Sequence, residues 1–381
     1  MGLLTEFIIN HFGTTGGHLD VLLKKVRSEL PESCHIEHVL SQIGDLVALA
    51  ERSRGQVAQI TGEPFAATSL RGLHGEIRDT IRSAIQCGYV PATSDKPARI
   101  ASESEATVSV ELHRDFIRAL IGARDKVGRP QRPIQFFTLN YDTLLEDALA
   151  LERVSYVDGF SGGAMAYWSP VSAYGDAGAG GRAHARVIKL HGSVDWHADE
   201  QDGSVYRCRD GRPYPRRAGN VLIYPQSTKY IATQRDPFAR LFEHFRAALI
   251  DTLPNVLAIC GYSFSDDHVD LEIEAAMERP ESRTVIIAFS QEIVDGGASF
   301  LPARLQNWLG SKAWCGRVFV VTNRGLYHGD LKNLSDPPGA FDWWTFAGIT
   351  KFLSDGPQQM EATQPSNVET PKHAEDGEDV E

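Results

Sequence analysis

The chain has 381 residues, of which 42% are hydrophobic and 23% are charged, and its formal net charge at pH 7 is -12. This is the composition of a globular protein, long enough to bury a substantial core as one large domain or two ordinary ones. The negative charge argues against non-specific binding to nucleic acid, because that binding depends on Lys and Arg neutralising phosphates.

The sequence predicts neither a membrane span nor a secretory signal. No run of about 18 or more apolar residues occurs. The stretch MGLLTEFIINHF has no Lys or Arg before its apolar part and no small-residue cleavage site. Five cysteines lie far apart, without any Cys-x-x-Cys pair: Cys34, Cys87, Cys208, Cys260 and Cys315. This odd number of scattered thiols indicates a reducing compartment, so we expect a cytoplasmic protein without structural zinc.

The first 130 residues show the spacing of amphipathic helices. The stretch GGHLDVLLKKVRSEL has aliphatic residues at i, i+3, i+4 and i+7, and Pro31 follows its end. The same pattern occurs in IEHVLSQIGDLVALAE, LHGEIRDTIRSAIQ and SVELHRDFIRALIGARDKV. We predict that residues 1–130 form a helical portion, in which the polar stretch 91–107 is an exposed loop.

From residue 133 the pattern changes to short apolar strands that alternate with helical runs. The strand candidates are PIQFFTL, RVIKLHG, NVLIYP, NVLAICGY, RTVIIAF and GRVFVVT. Continuous apolar strands between helices indicate a parallel sheet that is covered on both faces. We therefore predict an α/β fold, with a doubly wound, mostly parallel Rossmann-like sheet over 131–325 and a helical N-terminal subdomain.

Two stretches are interpreted as exposed. The basic stretch RCRDGRPYPRR (207–217) contains Gly and Pro and is interpreted as a solvated hairpin tip. Residues 356–381 lack aromatic residues and have few bulky aliphatic ones, which predicts a disordered acidic tail. Residues 326–355, between the predicted core and this tail, are interpreted as a C-terminal extension.

Polar residues follow several of the predicted strands at the point where each strand ends. Ligands of doubly wound sheets bind beyond the carboxyl ends of the strands, so these residues predict one binding crevice. They are Asn140 and Asp142 after the first strand, His191 after the second, Gly261 and Ser263 after NVLAIC, and Phe289 and Ser290 after RTVIIA.

The stretch VIKLHGSVDW places a histidine at the end of a buried strand. The imidazole of His191 can act as a base or an acid near neutral pH. Gly192 allows the backbone to turn sharply or to approach a ligand closely. A single histidine is more often structural, so the functional interpretation depends on its combination with TLNYD and GYS.

These motifs, in this order, carry a family resemblance. TLNYD, KLHGS, IYPQSTKY and CGYSFSDDH together resemble the sirtuin-like NAD-consuming domains of bacterial antiphage defence systems, over roughly residues 20–325. Sirtuins end one strand in Thr-Gln-Asn-x-Asp and a later one in His-Gly. Here Leu139 replaces the Gln, whereas Asn140, Asp142, His191 and Gly192 match.

The resemblance implies NAD as the substrate and a role for each matching residue. It assigns Asn140 and His191 to the ribose that bears nicotinamide, and Asp142 to the nicotinamide carboxamide. These three are the predicted catalytic residues. The resemblance places Gly261 and Ser263 at the phosphate and the adenosine ribose, and Phe289 and Ser290 on the adenine side. The full set of predicted cofactor-binding residues is Gly192, Gly261, Tyr262, Ser263, Asp266, Phe289 and Ser290.

Two departures from the family pattern bear on the activity. Protein-deacylating sirtuins carry a zinc ribbon of two Cys-x-x-Cys pairs shortly after His-Gly, whereas only Cys208 lies there, which favours NAD hydrolysis. The family also opens with a strand and a Gly-Ala-Gly-x-Ser phosphate loop. Near the N-terminus, where the family has this loop, FGTTGG (12–17) is the only Gly-rich candidate, and no apolar strand of the right type precedes it, so we expect the first strand and loop to be missing.

Several functions remain open at this point. The first is an NAD glycohydrolase that depletes cellular NAD in antiphage (abortive infection) defence. The alternatives are a protein deacylase or ADP-ribosyltransferase, and a catalytically silent sensor of NAD or ADP-ribose. An ordinary dinucleotide-dependent oxidoreductase is disfavoured, because no G-x-G-x-x-G follows a strand. The resemblance also implies a homo-oligomer and a separate partner, a HerA-like hexameric ATPase or translocase.

Overall fold

The structure is a computed structural model that describes most of the chain. The described residues form a mixed α/β fold with ten α-helices and 19 strands. The chain divides into a first unit, Met1–Leu253 with Glu272–Arg283, and a second unit, Pro254–Leu271 with Thr284–Glu381. The described residues are 2–32, 34–90, 98–126, 132–170, 183–199, 202–209, 219–221, 236–250, 253–295, 298–314, 316–334 and 341–356.

The N-terminal part of the first unit is helical because apolar residues recur on one face of each helix. Its elements are α1 (Gly2–Thr15), α2 (His18–Ser28), α3 (Ile36–Arg52), β1 (Val57–Ile60), β2 (Glu63–Ala66), α4 (Ala67–Cys87), β3 (Tyr89–Val90), β4 (Arg99–Ile100) and α5 (Glu111–Asp125). Helices α2 to α5 coincide with the four predicted helical patterns. A buried cluster joins α1 to α4 and includes Ile8, Leu22, Leu40, Leu73 and Ile77.

Two predictions for this region can be compared with the structure. The Gly-rich stretch FGTTGG covers the end of α1 and the two glycines before α2, so a helix and not a strand precedes it. The predicted loop 91–107 lies partly outside the described residues. Its described part contains strand β4 and a 3-10 turn at Glu103–Glu105.

Beyond α5 the first unit alternates strands and helices. The elements are β5 (Ile134–Thr138), α6 (Leu144–Leu151), β6 (Tyr156–Val157), β7 (Phe160–Gly162), β8 (Met165–Trp168), β9 (Ala185–Lys189), β10 (Trp196–Asp199), β11 (Val205–Cys208), β12 (Gly219–Val221) and α7 (Phe238–Leu249). Strands β5, β9 and β6 form a parallel sheet in that order. An apolar cluster packs α5 and α6 against it through Ile117, Ala148, Leu149, Ala185 and Val187.

The other strands beyond α5 in the first unit form an antiparallel sheet in the order β12-β10-β11-β8-β7, whereas β1-β2 and β3-β4 are separate two-stranded pairs. Aromatic rings pack within it: the ring of Phe160 lies 5.5 Å from that of Trp168 and 5.0 Å from that of Trp196. The prediction that NVLIYP adds a parallel strand is wrong for its described part, because β12 pairs antiparallel with β10. An apolar run identifies a strand, but its partner depends on distant residues.

The second unit contains a mixed sheet in the order β13-β14-β17-β18-β19. The first three strands are parallel, and the last two extend the sheet as an antiparallel hairpin. The elements are β13 (Asn255–Cys260), α8 (Asp267–Met277, which ends in the first unit), β14 (Thr284–Phe289), β15 (Ile293–Asp295), β16 (Ala298–Phe300), α9 (Ala303–Gly310), β17 (Val318–Val321), β18 (Gly325–His328), β19 (Leu331–Leu334) and α10 (Phe346–Asp355).

Parallel pairing thus occurs in two sheets of the described chain, β5-β9-β6 and β13-β14-β17. One continuous doubly wound sheet over residues 131–325 stays a prediction. The predicted acidic tail lies outside the described residues from position 357 onward. No helix in the described ranges has the length and apolar content that crossing a bilayer requires.

Candidate functional site

The register of β5 and β9 aligns the two strand ends that carry the predicted catalytic residues. Thr138 and Lys189 are the last residues of their strands and lie opposite each other. The amide of Leu190 continues the pairing, since it donates a 3.0 Å hydrogen bond to the Thr138 carbonyl. Neighbouring strands are about 4.8 Å apart. Asn140 and His191 each follow the aligned pair by two residues, so they leave the sheet at the same edge.

Hydrogen bonds join the turns that follow these two strands. The carbonyl of Tyr141 accepts from the Val194 amide at 2.9 Å and from the Ser193 hydroxyl at 3.2 Å. Ser193 and Val194 are both buried. The structure therefore brings together the four predicted site residues of the first unit: Asn140, Asp142, His191 and Gly192.

Gly192 has the backbone conformation that its position requires. Its φ is 90°, a value that residues with a β-carbon adopt only with strain. The chain can therefore reverse immediately after His191 and return towards Tyr141. The side chain of His191 is buried, with its ring centroid 6.4 Å from that of Tyr141, whereas Asn140 is exposed.

Asp142 lies two residues before the first residue of helix α6. Its Oδ1 accepts a 3.0 Å hydrogen bond from the Leu144 amide, which satisfies one of the free amides at the helix start. His113 of α5 lies in the field of this carboxylate: burial lowers the pKa of His113, and the charge of Asp142 opposes that change. Sequence reasoning missed His113, because nothing in its helical pattern distinguishes it from other surface positions.

A buried lysine lies beneath the turn that carries Asn140 and Asp142. The ammonium of Lys189 donates to the backbone carbonyl of Asp142. It also lies 3.4 Å from the Glu146 carboxylate, and both side chains are only 2% exposed. Burial raises the pKa of Glu146, and the positive charges of Lys189 and Arg209 oppose that rise.

Arg209 extends this pair into a network of ions. Its guanidinium lies 3.1 Å from Asp195, 3.3 Å from Asp147, 3.7 Å from Glu146 and 3.8 Å from Asp158. Arg207 also forms an ion pair with Asp158.

The interpretation of 207–217 as a solvated hairpin tip is therefore wrong at its described beginning, where Arg209 forms ion pairs with the buried Glu146 and Asp195, and Arg207 with the partly buried Asp158. The signal that could have revealed this network is the placement of Lys189 and Asp195 beside apolar strand residues. The rest of the basic stretch, 210–217, and the motif IYPQSTKY (223–230) lie outside the described residues.

The other predicted residues lie in the second unit, at the carboxyl ends of two adjacent strands. Cys260 and Phe289 are the final, paired residues of β13 and β14. Gly261 follows with a φ of 65°, which turns the chain out of the sheet. This arrangement groups six predicted positions on one edge of the second sheet: Gly261, Tyr262, Ser263, Asp266, Phe289 and Ser290.

Side-chain hydrogen bonds fix the loop from Gly261 to Asp266. The hydroxyl of Tyr262 donates to the Asp270 carboxylate at 2.8 Å and accepts from the Asp266 amide at 3.2 Å. Burial and this contact with Asp270 raise the pKa of Tyr262. Asp266 is buried, and its Oδ1 accepts from the His268 amide at 3.1 Å at the start of α8. Ser263 is exposed at the tip of the loop.

The segment after β14 contains a buried carboxylate that sequence reasoning missed. Glu292 accepts hydrogen bonds from the hydroxyls of Tyr327 at 2.7 Å and Thr322 at 2.9 Å, and from Ser299 at 2.5 Å. Burial alone would raise the pKa of Glu292, but these three hydrogen bonds outweigh it and the pKa is lowered. Just before it, the amide of the buried Ser290 donates to the Val321 carbonyl at 3.0 Å.

Comparison with known families gives a match over this region of the chain. Residues 135–309 match the family model of a SIR2-like domain. The SIR2-like stretch is less than half of the chain, begins in β5 and contains every predicted site residue from Asn140 to Ser290. SIR2-like domains are often NAD-dependent enzymes, so the match is compatible with an NAD-related activity. No curated protein matches the chain.

Proposed function

We propose that this protein is an NAD glycohydrolase, which cleaves the bond between nicotinamide and ribose in NAD. One observation carries the proposal: within the SIR2-like stretch, the register of β5 and β9 brings Asn140 and His191 to one edge of a parallel sheet. An amide and an imidazole at neighbouring strand ends are the groups that such a cleavage needs.

The chemistry explains the residue types. The carbon–nitrogen bond breaks with both electrons moving to the nicotinamide nitrogen, which leaves an oxocarbenium-like ribose, as in glycoside hydrolysis. Water then adds to the ribose carbon and releases one proton. In this proposal Asn140 orients the water or a ribose hydroxyl, His191 accepts a proton, and Asp142 binds the carboxamide.

The adenosine half of NAD is assigned to the strand ends of the second unit, and Gly192 is kept among the proposed cofactor-binding residues without a specific contact. Gly261 and Ser263 would contact phosphate and adenosine ribose, and Phe289 and Ser290 the adenine side. The turns after β13 and β14 support this assignment, because Gly261 leaves room for a ligand at the strand end and Ser263 is exposed. The proposal includes a Rossmann-like NAD-binding core over residues 131–325.

The same loop contains Tyr262 and Asp266. We propose that they contribute to NAD binding by keeping this loop in one conformation. Their side chains are hydrogen bonded to the residues around them, at 2.8 Å to Asp270 and 3.1 Å to the His268 amide. A loop that is ordered before the ligand arrives loses less conformational freedom on binding.

A second candidate is a catalytically silent sensor of NAD or ADP-ribose. It is favoured by one observation, since FGTTGG covers the end of helix α1, so a helix and not a strand leads into it. A sensor would bind the nucleotide through the same strand ends without breaking the bond. A protein deacylase or ADP-ribosyltransferase would need an acceptor groove in addition.

The biological role is proposed from the family resemblance. An NAD hydrolase that is always active would kill its own cell, so activity must be controlled. We propose that the protein acts in the cytoplasm as a homo-oligomer in antiphage defence, by abortive infection, and is controlled by a HerA-like hexameric ATPase or translocase.

The test is turnover of NAD by the purified protein, alone and together with the HerA-like ATPase. Chromatography should show nicotinamide and ADP-ribose in equal amounts, and no product with the His191→Ala variant. Intact NAD in both preparations would overturn the hydrolase proposal. Measurable NAD binding in that case would favour the sensor.

A further inference from the structure

A lysine, Lys189, occupies a position in the stretch VIKL where a buried strand normally has an apolar residue. It ends β9, the central strand of the parallel sheet, and its side chain is 2% exposed. Transferring an ammonium from water to a protein interior costs several kcal/mol, which its ion pair with Glu146 must offset. Apolar residues of similar volume often replace buried ion pairs without loss of stability. Stability therefore gives no sufficient reason for a lysine here.

The position of the ammonium points to a different role. Lys189 precedes His191 by two residues, and its Nζ donates to the carbonyl of Asp142, which follows Asn140 by two residues. The bond therefore runs from the strand of one predicted catalytic residue to the turn of the other. The Lys189 side chain thus holds the turn at the carbonyl of Asp142. The hydroxyl of Ser193 and the amide of Val194, in the turn after β9, hold it at the carbonyl of Tyr141.

The surrounding ions determine where the ammonium lies. Glu146, in the first turn of α6, is 3.4 Å from the Lys189 Nζ. Arg209 is 3.7 Å from the same carboxylate oxygen and 3.1 Å from Asp195, which follows His191 by four residues. Ion pairs thus hold the turn after β5 and the turn after β9. If the Lys189 ammonium moved, Glu146 would lose its nearest cation.

We propose that Lys189 is a positioning residue of the NAD-cleaving reaction, held in place by Glu146 and Arg209. Its ammonium keeps the turn of Asn140 and Asp142 in the geometry in which it works together with His191. This inference rests on the proposed function and deepens it, since it names the group that sets the distance between the two predicted catalytic side chains.

The decisive variant is Lys189→Met combined with Glu146→Gln. Methionine has about the volume of lysine but no charge. Glutamine at position 146 ensures that no carboxylate is left buried without its lysine partner, so the protein can fold. We expect kcat to fall about 100-fold, because a displacement of about 1 Å can cost that much. The KM for NAD should rise by less than about tenfold, because only the turn of Asp142, which binds the carboxamide, is displaced and the other proposed binding groups are unchanged.

A matched control separates this effect from the general loss of an ion pair. Lys24 forms an ion pair with Asp20 on α2, and its side chain is 66% exposed. Lys24→Met combined with Asp20→Asn should leave kcat and KM as in the wild type. The melting temperature of every variant should be recorded, so that loss of fold is distinguished from loss of geometry.

Hydrogen–deuterium exchange supplies a readout that does not depend on activity. In the Lys189→Met/Glu146→Gln variant, amides of residues 139–145 and 190–196 should exchange at least about tenfold faster, and those of α2 and α3 should not change. Unchanged exchange in these two turns would overturn the inference, as would wild-type kcat or a raised KM with normal kcat. An inactive wild type refutes the proposed hydrolase, whereas unchanged exchange refutes the positioning role, so the two failures are distinct.

Discussion

The backbone amide of Val194 donates a 2.9 Å hydrogen bond to the carbonyl of Tyr141, and this bond joins the turn after β9 to the turn after β5. The side chain of Tyr141 also points to the helical region, where its hydroxyl donates to Glu37 of α3 at 3.1 Å. Tyr141 therefore connects the strand-end turns to the helices of the first unit. The helical region has a defined structural role at the candidate site.

Replacing His191 with Ala should remove most turnover and leave the fold unchanged. A general acid or base contributes about 10²–10⁴-fold to the rate, and the buried imidazole lies in the turn after β9, outside the strand pairing that holds the sheet together. The rate of nicotinamide release measures the effect, and circular dichroism measures the fold. His18→Ala, an exposed position on α2, is the control and should retain wild-type turnover. Aggregation of His191→Ala would instead indicate a structural histidine.

Replacing Asn140 with Ala should separate catalysis from binding. An amide does not act as a base at neutral pH, so its role is to orient a water or a ribose hydroxyl. We expect turnover to fall strongly while the Kd for NAD changes less than about tenfold, equivalent to about 1.4 kcal/mol. Calorimetry with NAD gives the affinity. A wild type that never turns over, with affinity lost in Asn140→Ala, would support the sensor.

Replacing Tyr141 with Phe should lower the free energy of unfolding by about 1–3 kcal/mol, because the buried carboxylate of Glu37 loses a hydrogen-bond donor. Denaturant unfolding followed by fluorescence measures the change. Tyr167→Phe is the matched control, since Tyr167 is 63% exposed and should change stability by less than about 0.5 kcal/mol. Equal effects of the two substitutions would contradict the role given to Tyr141.

The lowered pKa of Glu292 predicts that the stability of the protein depends on pH. Because its pKa is lowered on folding, the ionised carboxylate stabilises the protein above its unfolded pKa. This contribution disappears as the pH falls through the lower, folded pKa. Glu292→Gln should cost about 2–3 kcal/mol at pH 7, and the difference from the wild type should shrink below about pH 4.

Unfolding titrations at pH 7 and at about pH 3 test the linkage of Glu292. Asp330→Asn, in the exposed turn between β18 and β19, is the control and should show no such pH dependence. A stability difference between Glu292→Gln and the wild type that is constant from neutral to acid pH would rule out this linkage.

Replacing Tyr262 with Phe should raise the KM for NAD by about fivefold, because the loop of the second unit loses one hydrogen bond of about 1 kcal/mol. The kcat should stay near that of the wild type, as expected when a change affects bound substrate and transition state equally. Steady-state kinetics over a range of NAD concentrations distinguish the two constants. A lower kcat at unchanged KM would place Tyr262 in the chemical step.

The sequence was sufficient to predict the strand ends of the candidate site. Continuous apolar runs followed by polar residues identified β5 and β9, and the order of motifs connected Asn140 with His191. Such local patterns can be read because they depend on neighbours in the chain. Their alignment in register is a property of the folded sheet, in which Thr138 pairs with Lys189.

The ionic contacts could not be predicted in the same way. Arg209 contacts Glu146 and Asp195 because the pairing of β11 within its sheet brings it there. Glu292 contacts Tyr327, which lies on β18. Contacts between residues so far apart in the chain have no periodicity that a local pattern reveals. The same limit explains β12, whose apolar run indicated a strand and not its antiparallel partner.

The aligned ends of β5 and β9 also constrain how this protein can evolve. Side chains alternate between the two faces of a sheet, so one residue added to either strand would turn the following positions to the opposite face. Such an insertion between Ile134 and Thr138 would shift Asn140 relative to His191 and disrupt the Tyr141 contact with Val194. Lineages that keep the activity should therefore vary in length in loops and not in these two strands.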